Sequence, residues 1–209
     1  MKYIFVAGAP GSKWSSVTKN IYYSPNVDQT DYSDQRTYYH DASGSMDLMH
    51  MGAYFDPGME FGTWFDRLSE YSPAECEAEF DQPFSGSGVR IIKSHVFAHN
   101  IDYLKKHWPD SPVVLALRSN DSCLGWWVKC GHFDITYPLY HDYYKNLREM
   151  AVHIKQQNLD IQQAWNRYHS RTYNIIENNF QLAEACGIEP PGAEYYQNYA
   201  ESDIRIKVI

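Results

Sequence analysis

Short, almost unbroken apolar runs punctuate this chain at Tyr3–Ala7, Val89–Ile92 and Val113–Leu117. Each is of strand length and each is followed at once by glycine, lysine or arginine. Runs of this kind, apolar on both faces, are what a buried parallel sheet requires. Helix-compatible stretches separate them. Trp14–Tyr22 follows the first run, and Ile101, Leu104, Lys105 and Trp108 follow the second behind a capping Asn100, with Pro109-Asp110-Ser111-Pro112 as the stop. Ser119-Asn120-Asp121-Ser122 opens a helix to about His132 after the third.

Between Ser24 and about Gly88 the periodicity dissolves into a Tyr-, Asp-, His- and Gly-rich region. Only a short helix near Glu60–Tyr71 and a helix start at Ser72-Pro73-Ala74-Glu75 stand out within it. The last third reads as helical, from Leu139 to Gln157 and again from Asp160 to Cys186, with Gly187 as its stop. Ile161, Trp165, Tyr168, Thr172, Ile175 and Ile176 form a core-packing stripe in the second helix. Ile204–Val208 alternates as a terminal strand would. The pattern predicts an α/β fold with a central, mostly parallel sheet flanked by helices on both faces. It predicts a single domain over 1–209, with an irregular insertion at about 24–88.

At 209 residues and 44% hydrophobic content the chain can bury a substantial core. Lys and Arg number 18 against 26 acids, a net charge of −8, which argues against duplex nucleic acid as a partner. A few cations gathered in one cleft remain compatible with that balance. Cys76, Cys123, Cys130 and Cys186 form no metal-binding or disulfide spacing, and the first apolar run is too short for a membrane span, so a cytoplasmic protein is the expectation. His40, Asp41, Asp47 and His50 lack a fixed ligand spacing and read as loop residues, so no metal site is predicted.

Chemistry concentrates where the apolar runs end. Gly8-Ala9-Pro10-Gly11-Ser12-Lys13 joins the first strand to a helix, the order that aims backbone N–H groups at an anion. Gly11, Ser12, Lys13, Trp14, Ser15 and Ser16 therefore form a candidate phosphate cradle; the bland alternative is an ordinary strand-to-helix turn. Lys93 and His95, two residues apart at the end of the second strand, would leave it together at the edge where open α/β sheets put their ligands. Arg118 ends the third strand, where its planar fork suits a phosphate or a nearby acid.

A Gly/Ser loop, then Lys-x-His, then an arginine after the next strand: in this order the motifs resemble those of the PAPS-dependent sulfotransferases, over roughly the first two thirds of the chain. The resemblance implies a P-loop-type, nucleoside-kinase-like architecture and transfer of a sulfuryl group from PAPS, leaving PAP, to a hydroxyl or amine. It implies that residues 11–16 hold the 5′ end, that Arg118 with Ser119 or Ser122 holds the 3′-phosphate, that His95 is the base and that Lys93 stabilises the leaving oxygen. No metal is then needed. The acceptor, a small molecule, glycan or peptide, would be shaped by the 24–88 region.

The chain departs from that pattern in places. Where the family's loop commonly reads Pro, Lys or Arg, Ser, Gly, Thr, Thr, this one reads Pro10, Gly11, Ser12, Lys13, Trp14, Ser15; the serine eight residues past the arginine is Trp126, and no Arg-Lys-Gly segment follows near the C-terminus. The alternatives are a P-loop nucleotide kinase and a non-catalytic nucleotide-binding protein. Position 13 is lysine and position 14 tryptophan where a Walker loop differs, and Val113–Leu117 ends in Arg118 and not in an acid that would organise magnesium.

Overall fold

The structure, a computed structural model, describes residues 1–31, 51–55, 65–129 and 145–209. Strands β1 (Tyr3–Gly8), β2 (Ala53–Tyr54), β3 (Arg90–Lys93), β4 (Val113–Leu117) and β5 (Arg205–Val208) form one sheet in the order β2-β3-β1-β4-β5. The first four are parallel and β5 runs antiparallel along β4. With helices on both faces this is a three-layer α/β arrangement, as the apolar runs predict.

Alternation along β1 assigns its side chains to two cores. Ile4 and Val6 face a layer built on α1 (Trp14–Tyr22) and α6 (Asn179–Cys186), meeting Val17, Ile21 and Leu182. Tyr3, Phe5 and Ala7 face the opposite layer, which comprises α2 (Pro73–Asp81), α3 (Ile101–His107) and part of α5 (Leu147–Arg167). Phe5 is the centre of that layer, with ring centroids of Phe80, Phe97 and Trp108 at 5.5, 5.6 and 5.5 Å. Truncating such a side chain costs roughly 3–5 kcal/mol. A third cluster joins Ala9 to Cys123 and Trp127 of α4 (Asn120–Lys129) and to Met150 and Ile154 of α5.

The region between 24 and 88 contributes more regular structure than its composition predicts. Ala53–Tyr54 pairs with β3 as an edge strand, Val27 makes a parallel bridge to Val89, and Phe55, Leu68 and Phe80 are fully buried. The predicted start at Ser72 is a complete capping box with Glu75, and Pro73 is in the first turn. His40, Asp41, Asp47 and His50 lie outside the described residues.

The C-terminal third also differs from expectation. Asn158-Leu159, the expected gap before a second helix at Asp160, runs through the middle of α5, where the polar side chains of Asn158 and Asp160 bond sideways. Asn158 donates to the Arg118 carbonyl and to Asn120 Oδ1, and Asp160 pairs with His99. Asn146 starts α5 by accepting from the amides of Arg148 and Glu149. The helix ends at Arg167 with Tyr168 extended and an irregular stretch after it, and the predicted stripe is divided: Ile161 lies in one core, Ile176 in the other, and Ile175 is exposed. A new helix, α6, starts at Asn178 and stops at the left-handed Gly187. Asn100, predicted as a cap, instead turns its amide onto the Val96 carbonyl. Lys207 of β5 donates to the carbonyls of Trp165 and Tyr168, satisfying the end of α5. Among the described residues no helix is long and apolar enough to cross a membrane.

Candidate functional site

The loop after β1 is held in shape by two glycines. A Cβ on Gly8 would stand 2.6 Å from Ser12 Oγ, and one on Gly11 would stand 1.9 Å from the Cys123 carbonyl oxygen. Gly11 also has φ 77°, the left-handed region. The Ser12 amide donates to the Ala9 carbonyl and closes the turn, while its hydroxyl is buried without a hydrogen-bond partner among the described residues. Lys13 then precedes α1 with φ 63° and ψ 17°, a conformation that costs a non-glycine residue about 1 kcal/mol. It makes no side-chain cap, and the first turn of α1 holds no acid, so the helix terminus keeps its bias toward negative charge.

Lys93 and His95 are brought together, as their spacing predicts, though not as two successive strand residues. Lys93 ends β3, paired with Val6 of β1 and Tyr54 of β2. His95 has left the strand with φ −64° and ψ −31°, leading into a 3-10 turn at Val96–His99. Both side chains meet Trp14: the indole stacks on the His95 ring at 4.0 Å, and Lys93 Nζ is 5.8 Å from the centroids of Trp14 and Tyr54. Trp14, predicted in the phosphate cradle, opens α1 and turns its buried indole onto this pair.

Burial sets the chemistry of both. Lys93 is 0% and His95 4% exposed. Burial pushes the Lys93 ammonium down to about 7, with the negative charge of Asp31 acting the other way. Burial likewise lowers His95 to about 3; its contact with Gly8 opposes the shift and the neighbouring Lys93 charge reinforces it. His95 Nδ1 lies against the Gly8 carbonyl, which can only accept, so Nδ1 carries the proton and Nε2 presents the lone pair. The pair is thus a neutral imidazole beside an amine near its titration point.

Arg118 lies on the other side of the same loop, beyond β4. Its Nη1 donates to the Gly11 carbonyl at 2.9 Å and its Nε to Asp203 Oδ2 at 2.7 Å. Asp203 also takes a hydrogen bond from Ser122, and Lys13 Nζ is 3.9 Å from its Oδ1. Ser119 Oγ accepts from the Ser122 amide at the start of α4. Trp126, standing where the resemblance expects a serine, has Lys13 Nζ at 5.1 Å, Lys129 Nζ at 5.5 Å and Arg118 Cζ at 5.9 Å from its ring centroid. Ser15 is half-buried; Ser16 is exposed and helps line a cavity of about 340 Å³ with Lys13, Asn20, Asn198, Tyr199 and Ser202.

Sequence reasoning singled out the loop, Lys93, His95 and Arg118, and missed Asp203, Tyr54 and the gathering of Lys13, Arg118 and Lys129 around Trp126. Asp203 carried no local signal, since it lies 85 residues from Arg118 in an acid-containing tail. Among the described residues no three His, Cys, Asp or Glu side chains gather as a metal site. Comparison with family models, with curated proteins and with solved structures gives no match to this chain, so the geometry of the site carries the functional argument by itself.

Proposed function

We propose that the chain binds PAPS at the carboxyl edge of β3, β1 and β4 and transfers its sulfuryl group to a hydroxyl or amine. One observation carries the reading: the two flanking groups are fastened to the same central loop, His95 at the Gly8 carbonyl and Arg118 at the Gly11 carbonyl. The three motifs thus converge on one place, the edge where open α/β sheets bind ligands. A second feature agrees with it. Lys13 holds a left-handed backbone at the loop position where the family motif has glycine, so that position keeps the glycine-like conformation, while Gly11 leaves no room for the basic residue the motif has there and the charge comes from Lys13 instead.

Within this reading the buried Ser12 hydroxyl, Lys13 and the uncapped start of α1 hold the 5′ phosphosulfate, with Ser15 and Ser16 beside them. Arg118, with Ser122 and Ser119, holds the 3′-phosphate. In the transfer the sulfur–oxygen bond to the phosphate breaks and a sulfur–oxygen or sulfur–nitrogen bond to the acceptor forms. The acceptor's proton would pass to His95 Nε2, whose basicity burial lowers until a ligand's negative charge arrives beside it, and Lys93 would stabilise the charge developing on the departing phosphate oxygen.

A second reading, nucleotide binding without transfer, is favoured by the burial of Lys93 and His95 beneath Trp14. The test is a thermal-shift series with PAP and with ATP, each with and without magnesium, followed by sulfate transfer assayed in wild type and His95→Ala. Expected is stabilisation by PAP without magnesium, about 3 kcal/mol at a hundredfold excess over Kd, and a loss of roughly 100-fold or more in turnover in the variant. Preferential stabilisation by Mg-ATP selects a kinase; PAP binding with no turnover in either protein selects the non-catalytic reading.

A further inference from the structure

The best-formed polar cluster outside the Lys93–His95 pair is already occupied by the chain itself. Arg118, whose side chain is only 8% exposed, gives Nε to Asp203 at 2.7 Å; Ser122 gives a hydrogen bond to the same carboxylate, and Lys13 approaches it at 3.9 Å. A guanidinium, an ammonium and a hydroxyl converging on two oxygens are the donors a phosphate group would use. The carboxylate reaches them from a tight turn, where Ser202 donates from both its amide and its hydroxyl to the Tyr199 carbonyl. Tyr199 and Ile204, on either side, are buried, whereas Asp203 itself is 45% exposed. Ser202 and Ile204 also form part of the wall of the cavity of about 340 Å³, together with Lys13, Ser16 and Asn20. Asp203 thus lies in sequence between two residues of that wall and carries its carboxylate to Arg118.

We propose that the Asp203 carboxylate is the resting occupant of the Arg118 anion subsite, and that a phosphate-class anion binds there by displacing it. The inference rests on the reading of Arg118 as an anion-binding residue and adds how that site is controlled. With Asp203 in place, the two nearest cations are partly neutralised, so a neutral or singly charged group gains little by entering. A phosphate dianion offers more charge and a bidentate match to the guanidinium, and exchanges a half-exposed carboxylate back to solvent. The device makes the subsite selective for multiply charged groups and keeps the buried guanidinium paired when no ligand is bound.

The probe is inorganic pyrophosphate, titrated calorimetrically at low salt without magnesium into wild type, Asp203→Asn, Asp203→Ser and the double variant Arg118→Lys/Asp203→Asn, each checked for native circular dichroism. Removing the competing charge should tighten pyrophosphate binding roughly 10-fold in both single variants, and the gain should shrink to less than threefold in the double variant, where the fork is gone. Two substitutions at 203 protect the result against one that fails to fold. Unchanged or weaker binding in the 203 variants would overturn the proposal, showing that the carboxylate only fastens the turn or orients Arg118. Absence of pyrophosphate binding in every protein overturns it too, as does a gain that survives loss of the fork. The PAPS reading fails separately: tighter pyrophosphate in Asp203→Asn with no PAP stabilisation supports the displaced carboxylate and rejects PAPS. PAP stabilisation with an unresponsive Asp203 does the reverse.

Discussion

Lys93 offers the sharpest test of the site's physical chemistry, because its burial turns into a dependence of stability on pH. Its amine is fully buried and titrates at about 7, against 10.5 for an unperturbed lysine. Between those values the unfolded chain holds a proton that the folded chain has released, so stability rises with pH across the window and is lowest at pH 7 and below. The full slope is about 1.4 kcal/mol per pH unit, and integrating from pH 7 to pH 9 gives roughly 2 kcal/mol from this one group. Lys93→Met keeps the length of the side chain and abolishes the titration.

The quantity to measure is the difference in unfolding free energy between Lys93→Met and wild type, from urea unfolding at pH 7, 8 and 9. That difference should be most favourable to the variant at pH 7 and should decline by about 2 kcal/mol by pH 9. Packing changes do not bend the curve, since they are independent of pH. Other groups that titrate there cancel, among them Cys123 and Cys186, whose thiols burial pushes up to about 11 and about 12. His95 does not intrude, being neutral throughout that range. A difference that stays flat from pH 7 to pH 9 would refute the argument and mean that Lys93 titrates alike in the folded and unfolded chain.

Gly11→Ala should lower stability by more than 1 kcal/mol, since its Cβ would meet the Cys123 carbonyl at 1.9 Å from a left-handed backbone, whereas Gly125→Ala, which meets nothing within 4 Å on α4, should raise it by about 0.5–1 kcal/mol. Thermal melts of the two variants beside wild type decide it, and equal shifts would remove the claim that the loop is shaped by Gly11. Lys13→Gly should raise the melting temperature by relieving about 1 kcal/mol of left-handed strain while weakening pyrophosphate binding, a split that a loop without anion-binding function would not produce.

The three strand ends were legible because β1, β3 and β4 are buried on both faces and must be written almost wholly in apolar residues. Strand β2 was not, since two residues pairing with a single neighbour have no periodicity to display. The long α5 was misread for a definite reason. Asn158 and Asp160 lower local helix propensity, and their compensation comes from Arg118, Asn120 and His99, which only the folded chain brings near. The site divides in the same way. Spacing found Lys93 and His95 and indicated that they meet; their burial depends on Trp14 and Tyr54, supplied by other segments.

The same distinction reconciles an acidic protein with the anion site proposed for it. A net charge of −8 is an average over the whole chain, whereas Arg118, Lys13 and Lys129 gather around one indole, and the first two also meet the Asp203 carboxylate. Screening confines such an island to about a Debye length, roughly 8–10 Å at ordinary ionic strength, so the distant acids scarcely weaken it for a ligand already in contact. Those acids act at long range instead, repelling polyanions before they arrive. On the proposed reading, a chain built in this way should favour a small, multiply charged anion over a polymeric one, which is the selectivity that the Arg118–Asp203 exchange would refine.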